Sequence, residues 1–411
     1  MSNFTTSYPK DKIKILLLEG IHPLAKTQLA QAGYHQVTMD SGAMDLDELK
    51  EHIKDTHLIG IRSKTQITAD ILRAAPKLLG IGCYCIGTNQ VDLDMASELG
   101  IAVFNSPYSN TRSVAELVIA ECIILLRRVI EKNMAAHQGL WLKDAKNSFE
   151  LRGKKLGIVG YGHIGTQVSV MAEAMGMEVF YYDIIPKLPL GNAKAMASLE
   201  ALMEVADILT LHVPSTTDTR DMINAQSLTL MRPGTILLNL SRGSVVKIPD
   251  LVAALKSGHI AGAGIDVFPH EPASKNEAFV SELQNLANVI LTPHIGGSTE
   301  EAQENIAQDA TYKLIHFLES GATVGSHSIP ELNLPVQRDT HRILHIHDNV
   351  PGVLSAINSA LSKMGVNILG QYLKTNERVG YVVLDVEKNA SKLALEGMSQ
   401  VPNTIKARIL Y

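Results

Sequence analysis

Only three cysteines, Cys83, Cys85 and Cys122, occur in 411 residues. So few exclude a disulfide scaffold and fit a reducing compartment. Cys83-Tyr84-Cys85 lacks the spacing of a CxxC redox motif, and there is no second pair to complete a zinc site, so no metal is expected. The cysteines read as small apolar residues beside a buried strand. An excess of charge of one sign is also missing. The formal net charge of −5 carries no polyanion-binding signal, so no nucleic-acid partner is expected. No apolar run approaches the ~18 residues that a membrane span requires. Met1 to Lys12 is polar and has no apolar signal-peptide core, so a cytoplasmic location is the expectation. Fixed-period repeats and low-complexity segments are absent as well. What remains, 45% hydrophobic and 19% charged residues, is a soluble globular composition long enough for two or three domains.

The most informative segment present is Gly160-Tyr161-Gly162-His163-Ile164-Gly165. It follows an apolar run, Leu156 to Val159, and opens a helical pattern. A second apolar run, Val179 to Tyr182, ends in Asp183. Strand, glycine turn, helix and strand-end acid together form a dinucleotide-binding fingerprint. Its glycines serve the tight turn, the approach of a pyrophosphate, and helix–strand packing. The helix N-terminus offers N–H groups to the phosphates. Asp183 suits a ribose 2′-hydroxyl and repels a 2′-phosphate, so NAD is expected rather than NADP.

About 150 residues precede this motif and carry their own alternation of strand and helix. Ile13 to Leu18, His57 to Ile61, Leu78 to Ile81 and Ile101 to Phe104 read as strands, with a helix over Pro23 to Ala32. After the motif, Asp207 to Pro214, Gly234 to Leu240, Ile260 to Val267 and Val289 to Thr292 are short runs apolar on both faces, as in a parallel sheet covered on both sides. A long helix pattern spans Thr299 to Ser320, and a linker-like stretch, Gly321 to Thr340, follows. The last ~70 residues read as strand, helix, two strands, helix and strand. That is the ferredoxin-like order βαββαβ.

Ligands bind outside the carboxyl ends of the strands in such parallel sheets. Three candidates stand there. His294 follows Val289 to Thr292 and precedes Gly296-Gly297, and a histidine suits the proton transfer that accompanies alcohol oxidation. Glu271 follows another strand and could orient His294. Arg242 follows a third and could clamp a carboxylate with paired hydrogen bonds. Taken singly, each reads more simply as a capping, turn or loop residue. Their joint placement at one sheet edge favours a site.

The segments Gly160 to Gly165 with Asp183, Leu228 to Gly234, Asn239 to Gly243, Gly264 to Phe268 with Glu271-Pro272, and Leu291 to Gly297 together resemble the D-isomer-specific 2-hydroxyacid dehydrogenases. Ile59 to Ser63, Cys85 to Leu93 and Asn105 to Glu116 are similar to members that oxidise D-3-phosphoglycerate. The resemblance covers nearly the whole chain. It implies an α/β protein with two doubly wound Rossmann-like domains and a C-terminal ferredoxin-like ACT domain. Residues 1–108 and 299–336 would bind substrate, 109–298 would bind NAD, and 339–411 would be regulatory.

The resemblance also implies roles. His294 would be the acid/base, Glu271 its partner and Arg242 the ligand of the substrate carboxylate and carbonyl. Gly160, Gly162, His163, Ile164, Gly165, Asp183, His212, Leu240, Ser241, Arg242, Asp266, His294, Ile295, Gly296 and Gly297 would line the NAD site. Arg62, Lys64, Asn110 and Lys143 would meet substrate. The family often has arginine where Lys64 stands; lysine keeps the charge and loses the planar fork. Trp141 and Lys143 resemble residues that reach a neighbouring subunit, and a homotetramer is implied. His347, Asn349 and Asn367 would hold L-serine, the end product of the pathway that such an enzyme opens, giving feedback inhibition. Related enzymes carry a glycine pair near the last domain boundary; here Gln337-Arg338-Asp339-Thr340 is glycine-free. Two alternatives stay open. One is a different D-2-hydroxyacid specificity, such as reduction of 2-oxoglutarate, alone or as an added activity. The other is an NAD(H)-sensing, corepressor-like binding protein on the same fold.

Overall fold

Five short strands with buried faces open the chain: β1 Lys14–Leu17, β2 Gln36–Met39, β3 Leu58–Ile61, β4 Gly80–Cys83 and β5 Ala102–Asn105. They are joined by α1 Leu24–Gln31, α2 Leu46–Ile53, α3 Ala69–Arg73 and α4 Leu93–Glu98. The computed structural model describes residues 9–272, 277–335 and 339–410. β3, β4 and β5 are buried at every position, as strands covered on both faces must be. All pair in parallel in the order β2-β1-β3-β4-β5. The order reverses beside β1, so the carboxyl ends of β1 and β3 flank the switch point of this sheet.

Two helices, α5 Thr111–Arg127 and α6 Val129–His137, lead into the second parallel sheet. Its elements are β6 Lys155–Val159, α7 His163–Ala174, β7 Glu178–Tyr182, β8 Lys194–Ala195, α8 Leu199–Val205, β9 Ile208–Leu211, α9 Ala225–Leu230, β10 Thr235–Asn239, α10 Ile248–Lys256, β11 Ile260–Ile265 and β12 Val289–Leu291. The strand order is β12-β11-β10-β9-β6-β7-β8. The chain winds outward from β6 on one side and returns at β9 on the other, which puts the switch point between β6 and β9. The two apolar layers are separate. One packs α5 and α7 against the sheet through Val118, Cys122, Val168 and Ile158, and the other packs Leu202, Leu228 and Leu251 against Leu209 and Leu237.

The third sheet follows α11 Glu300–Ser320 and comprises β13 His341–Asp348, α12 Val353–Lys363, β14 Ile368–Thr375, β15 Val379–Val386, α13 Ser391–Ser399 and β16 Thr404–Leu410. It is antiparallel in the order β14-β15-β13-β16. Alternation along β13 divides its residues between two cores. Ile343 lies under α12 and α13 with Ile357 and Leu361. Leu344 and Ile346 face the other way and join Phe104, Leu314 and Phe317.

Two compact units result, Met1–Ser109 with Gln303–Tyr411, and Asn110–Ala302. The third sheet shares the first unit because its uncovered face is apolar and packs there. Cations reinforce the join. Arg342 is fully buried, pairs with both oxygens of Asp385 at 2.7 and 2.9 Å, and donates to the Ser320 carbonyl. Arg408 donates to the Phe317 carbonyl. Both carbonyls lie in the last turn of α11, where the helix dipole favours cations. Gln337 and Arg338 of the glycine-free linker lie outside the described residues.

Candidate active site

Three different geometries explain the three glycines of the 160–165 turn. Gly160 has φ +91°, and a Cβ there would stand 2.5 Å from the His212 carbonyl oxygen. Gly165 lies so close to the turn that a Cβ would stand 2.2 Å from the Gly160 carbonyl oxygen. Gly162 has nothing within 4 Å of its absent side chain. It is the N-cap of α7, and no side chain caps that end. A helix N-terminus with no side-chain cap and open space beside Gly162 is what a pyrophosphate requires. Asp183 closes β7 and accepts from the backbone N–H of Tyr161 at 2.8 Å and of Ile185 at 2.9 Å. Its carboxylate is thereby fixed beside the turn. His212 follows β9 across the switch point; burial pushes its imidazole down to about 3, so it stays neutral. Turn, uncapped helix and anchored acid fit NAD.

Farther along the same sheet edge, three strand ends meet. His294 Nδ1 and Glu271 Oε2 are 2.8 Å apart. With Nδ1 committed to the carboxylate, Nε2 is the ring atom left to exchange a proton with a ligand. The Glu271 hydrogen bond raises the His294 pKa most strongly. Burial opposes that rise, the charges of Glu271 and Asp266 add to it, and Arg242 opposes it. For Glu271, burial alone would raise the carboxyl. The hydrogen bond and charge of His294, the Phe268 N–H and Arg242 outweigh burial, and the net shift is down. Arg242 follows β10 and donates from a terminal guanidinium nitrogen to its neighbour's carbonyl, Ser241 O, at 2.7 Å. Asn239 ties down this loop, bonding Ser241 through its carbonyl oxygen and the Arg242 carbonyl through its amide. Gly243 is obligatory there, because a Cβ would stand 2.0 Å from the Phe268 carbonyl carbon.

Asp266 supports the His294 loop. It is 1% exposed, and its two oxygens accept from Thr292 Oγ1 and from the N–H groups of Ile295 and Gly296. His294 itself has φ +56°, a left-handed conformation uncommon outside glycine. Its N–H donates to the Asp266 carbonyl at 2.8 Å. Such strain persists where surrounding bonds over-determine it. A Cβ on Gly297 would stand 2.1 Å from Asn110 Nδ2. The side-chain oxygen Oδ1 of Asn110 is buried without a hydrogen-bond partner. Leu240 is buried beneath the Arg242 loop, and Ile164 packs against the α5–α7 core.

Glu121 was not foreseen from the sequence. It lies in α5 at 1% exposure, and neither carboxyl oxygen has a hydrogen-bond partner. Burial, with a contribution from Asp266, pushes its pKa up to about 8. The folded state therefore holds a proton that the unfolded state releases from about pH 4.5 upward. Stability should fall as pH rises from there toward 8. Glu121→Gln should match wild type near pH 5 and exceed it by a few kcal/mol, at most about 4, at pH 7.5. Urea unfolding at the two pH values measures this; a deficit for the variant at pH 7.5 would show that the carboxylate is paired after all.

The remaining candidates lie elsewhere. Arg62 and Lys64 follow β3 in the first unit, and Lys64 borders a shallow groove with Asp45 and Asp47. Lys143 and Trp141 are exposed, with Trp141 83% accessible. In the third sheet, His347 is buried and its Nε2 has no partner. Asn349 bonds the Asn376 carbonyl, and Asn367 is exposed. Among the described residues, no group of His, Cys, Asp and Glu could hold a metal, and no helix is long and apolar enough to cross a membrane.

Comparison with known proteins agrees with this geometry. Residues 119–296 match the family model "D-isomer specific 2-hydroxyacid dehydrogenase, NAD binding domain", and residues 343–406 match "AHAS small subunit-like ACT domain". The D-3-phosphoglycerate dehydrogenase of Escherichia coli (strain K12) is 53% identical over 98% of this chain and 99% of its own length. That of Dictyostelium discoideum is 51% identical over 99% of each chain. Among solved structures, the TT0316 protein of Thermus thermophilus is 33% identical with a TM-score of 0.67, covering 74% of this chain and 97% of its own. The D-lactate dehydrogenase of Aquifex aeolicus, complexed with NAD and lactic acid, is 26% identical with a TM-score of 0.67, covering 77% and 100%. The chain is an NAD-binding oxidoreductase with an ACT domain, it is similar over nearly its full length to several curated D-3-phosphoglycerate dehydrogenases, and it belongs to the D-isomer-specific 2-hydroxyacid dehydrogenase family.

Proposed function

We propose that the protein oxidises D-3-phosphoglycerate to 3-phosphohydroxypyruvate with NAD, the entry step of phosphorylated L-serine synthesis, in the cytoplasm. The His294–Glu271 pair beside Arg242 carries this reading. NAD, when bound, supplies the acceptor for the hydride that leaves C2 of the substrate. The chain's residues do the rest. Arg242 holds the substrate carboxylate and carbonyl oxygen. His294 Nε2 takes the hydroxyl proton, and Glu271 stabilises the imidazolium that results. Arg62, with Lys64, takes the phosphate, and Asn110 and Lys143 contact substrate. In this reading residues 109–298 bind NAD, residues 1–108 and 299–336 bind substrate, and residues 339–411 regulate. His347, Asn349 and Asn367 bind L-serine, which inhibits a homotetramer into which Trp141 and Lys143 project between subunits. The unpartnered Nε2 of buried His347 supports an effector there.

Substrate choice is tested by NADH consumption with 3-phosphohydroxypyruvate, hydroxypyruvate and 2-oxoglutarate, each with and without L-serine. The phosphorylated acid should be preferred, and serine should inhibit. Preference for 2-oxoglutarate would replace the substrate assignment. NADH binding without turnover of any of them would favour a sensor, although the complete proton-transfer pair argues against one.

The pH profile tests the pair itself. Reduction needs His294 protonated, so its rate falls as pH rises through the His294 pKa. Glu271 holds that pKa up. Glu271→Gln should therefore move the alkaline limb of kcat to lower pH. An unmoved limb would mean that another group supplies the proton.

A further inference from the structure

We propose that Glu19 is the positioning residue for the loop that carries Arg62 and Lys64, and that it makes the loop grip an anion with side chains rather than with its backbone. This rests on the reading that Arg62 takes the substrate phosphate. β1 and β3 are neighbours at the switch point of the first sheet, with Leu17 opposite Gly60. Glu19 lies two residues beyond β1, and Arg62 immediately follows β3. Both therefore stand where open parallel sheets bind ligands.

The Glu19 carboxylate gathers the backbone of that loop. Oε1 accepts from Arg62 N at 3.1 Å and Thr65 N at 2.8 Å, and Oε2 accepts from Lys64 N at 3.0 Å. Converging backbone N–H groups of this kind form an anion-binding nest. Here an internal carboxylate fills it, so a phosphate oxygen cannot. The same loop is held from its acceptor side, where Gln90 Nε2 donates to the Arg62 carbonyl at 2.7 Å. With N–H and C=O of Arg62 both tied, the start of its side chain is fixed and the guanidinium is the group left to meet a ligand.

The backbone at Glu19 makes a second, independent point. Its φ is +61°, in the left-handed region where glycine is at ease, and Gly20 beside it has φ +62°. A large side chain in that conformation, only 8% exposed, is strained and persists because its contacts over-determine it. A residue serving only the turn would be glycine. Buried negative charge beneath Arg62 also offsets part of the loop's positive charge, so recognition depends on the direction of the guanidinium fork more than on a general positive field.

Glu19→Gln tests this. It removes the charge and one acceptor oxygen while keeping the side-chain length. The KM for 3-phosphohydroxypyruvate should rise about 10-fold, with kcat, the KM for hydroxypyruvate and the NADH Kd unchanged. In an Arg62→Ala background the substitution should have a smaller effect on KM, because it then acts through Lys64 alone. Equal loss for both substrates, or an undiminished effect without Arg62, would reduce Glu19 to a turn stabiliser. If Arg62→Ala raises the KM for the phosphorylated acid and Glu19→Gln does not, this inference alone fails. If Arg62→Ala leaves that KM unchanged, the phosphate reading fails and takes this inference with it. Should Glu19→Gln not fold, Glu19→Asp carries the same test. It keeps the charge and withdraws it by one methylene, and a smaller rise confined to the phosphorylated substrate is expected.

Discussion

Replacing His294 with alanine should lower kcat at least ~10³-fold in either direction while leaving the NADH Kd within about twofold of wild type. The imidazole holds the proton that must leave or join the substrate oxygen, and a positioned acid–base group contributes about 10²–10⁴-fold. Here the group also has a partner 2.8 Å away that stabilises its charged form, which puts the loss toward the upper end. NADH binding should survive because the dinucleotide turn and Asp183 do not depend on His294. The loop around it is held independently by Asp266 through Thr292, Ile295 and Gly296. Alanine does face the left-handed backbone at position 294, so a melting curve should accompany the rates. Turnover within about tenfold of wild type by a folded variant would remove the acid–base role from His294.

The second large effect separates folding from cofactor binding within one motif. Gly165→Ala puts a methyl 2.2 Å from the Gly160 carbonyl oxygen, a backbone atom that cannot swing aside. The turn must open, at a cost of about 1–3 kcal/mol typical of overpacking, and the amides that face the pyrophosphate move with it. NADH affinity should fall at least ~10-fold together with a lower Tm. Gly162→Ala meets no protein atom within 4 Å. It should keep the wild-type Tm and still weaken NADH, because its methyl occupies space left for the phosphates. Thermal melting and NADH fluorescence titration on the two variants give the comparison. A normal Tm and normal affinity for Gly165→Ala would mean that the helix does not pack on the turn as described.

The dinucleotide turn was legible in the sequence because its chemistry is local. Gly160 and Gly165 answer close backbone contacts at the turn, with Asp183 and His212 as near neighbours, and Gly162 leaves open space beside it. The His294–Glu271–Arg242 cluster was legible only through strand order. These residues are distant in sequence, and only their common placement after parallel strands brings them to one edge. Strand positions in the third sheet followed from alternation, but alternation does not say what covers the second face. Leu344 and Ile346 found partners in Phe104, Leu314 and Phe317, so this sheet shares a compact unit with the first. Edge elements were missed for want of pattern: β8 has two residues, both exposed, and β2 buries one position of four. Glu121 carried a signal, an acid inside the apolar run Val118 to Cys122, although nothing local shows that its oxygens lack partners. Glu19 resembled any strand-end acid; its role appears only when the β3 loop folds over it.

Whether this chain is a D-specific dehydrogenase is decided by the initial rate of NADH formation from D-3-phosphoglycerate, with the keto product trapped so that the reaction runs forward, compared with the rate from its L enantiomer. Turnover of the D acid only, lost in His294→Ala, is the predicted result. NADH formation from both enantiomers, or from neither while NADH still binds, would contradict it.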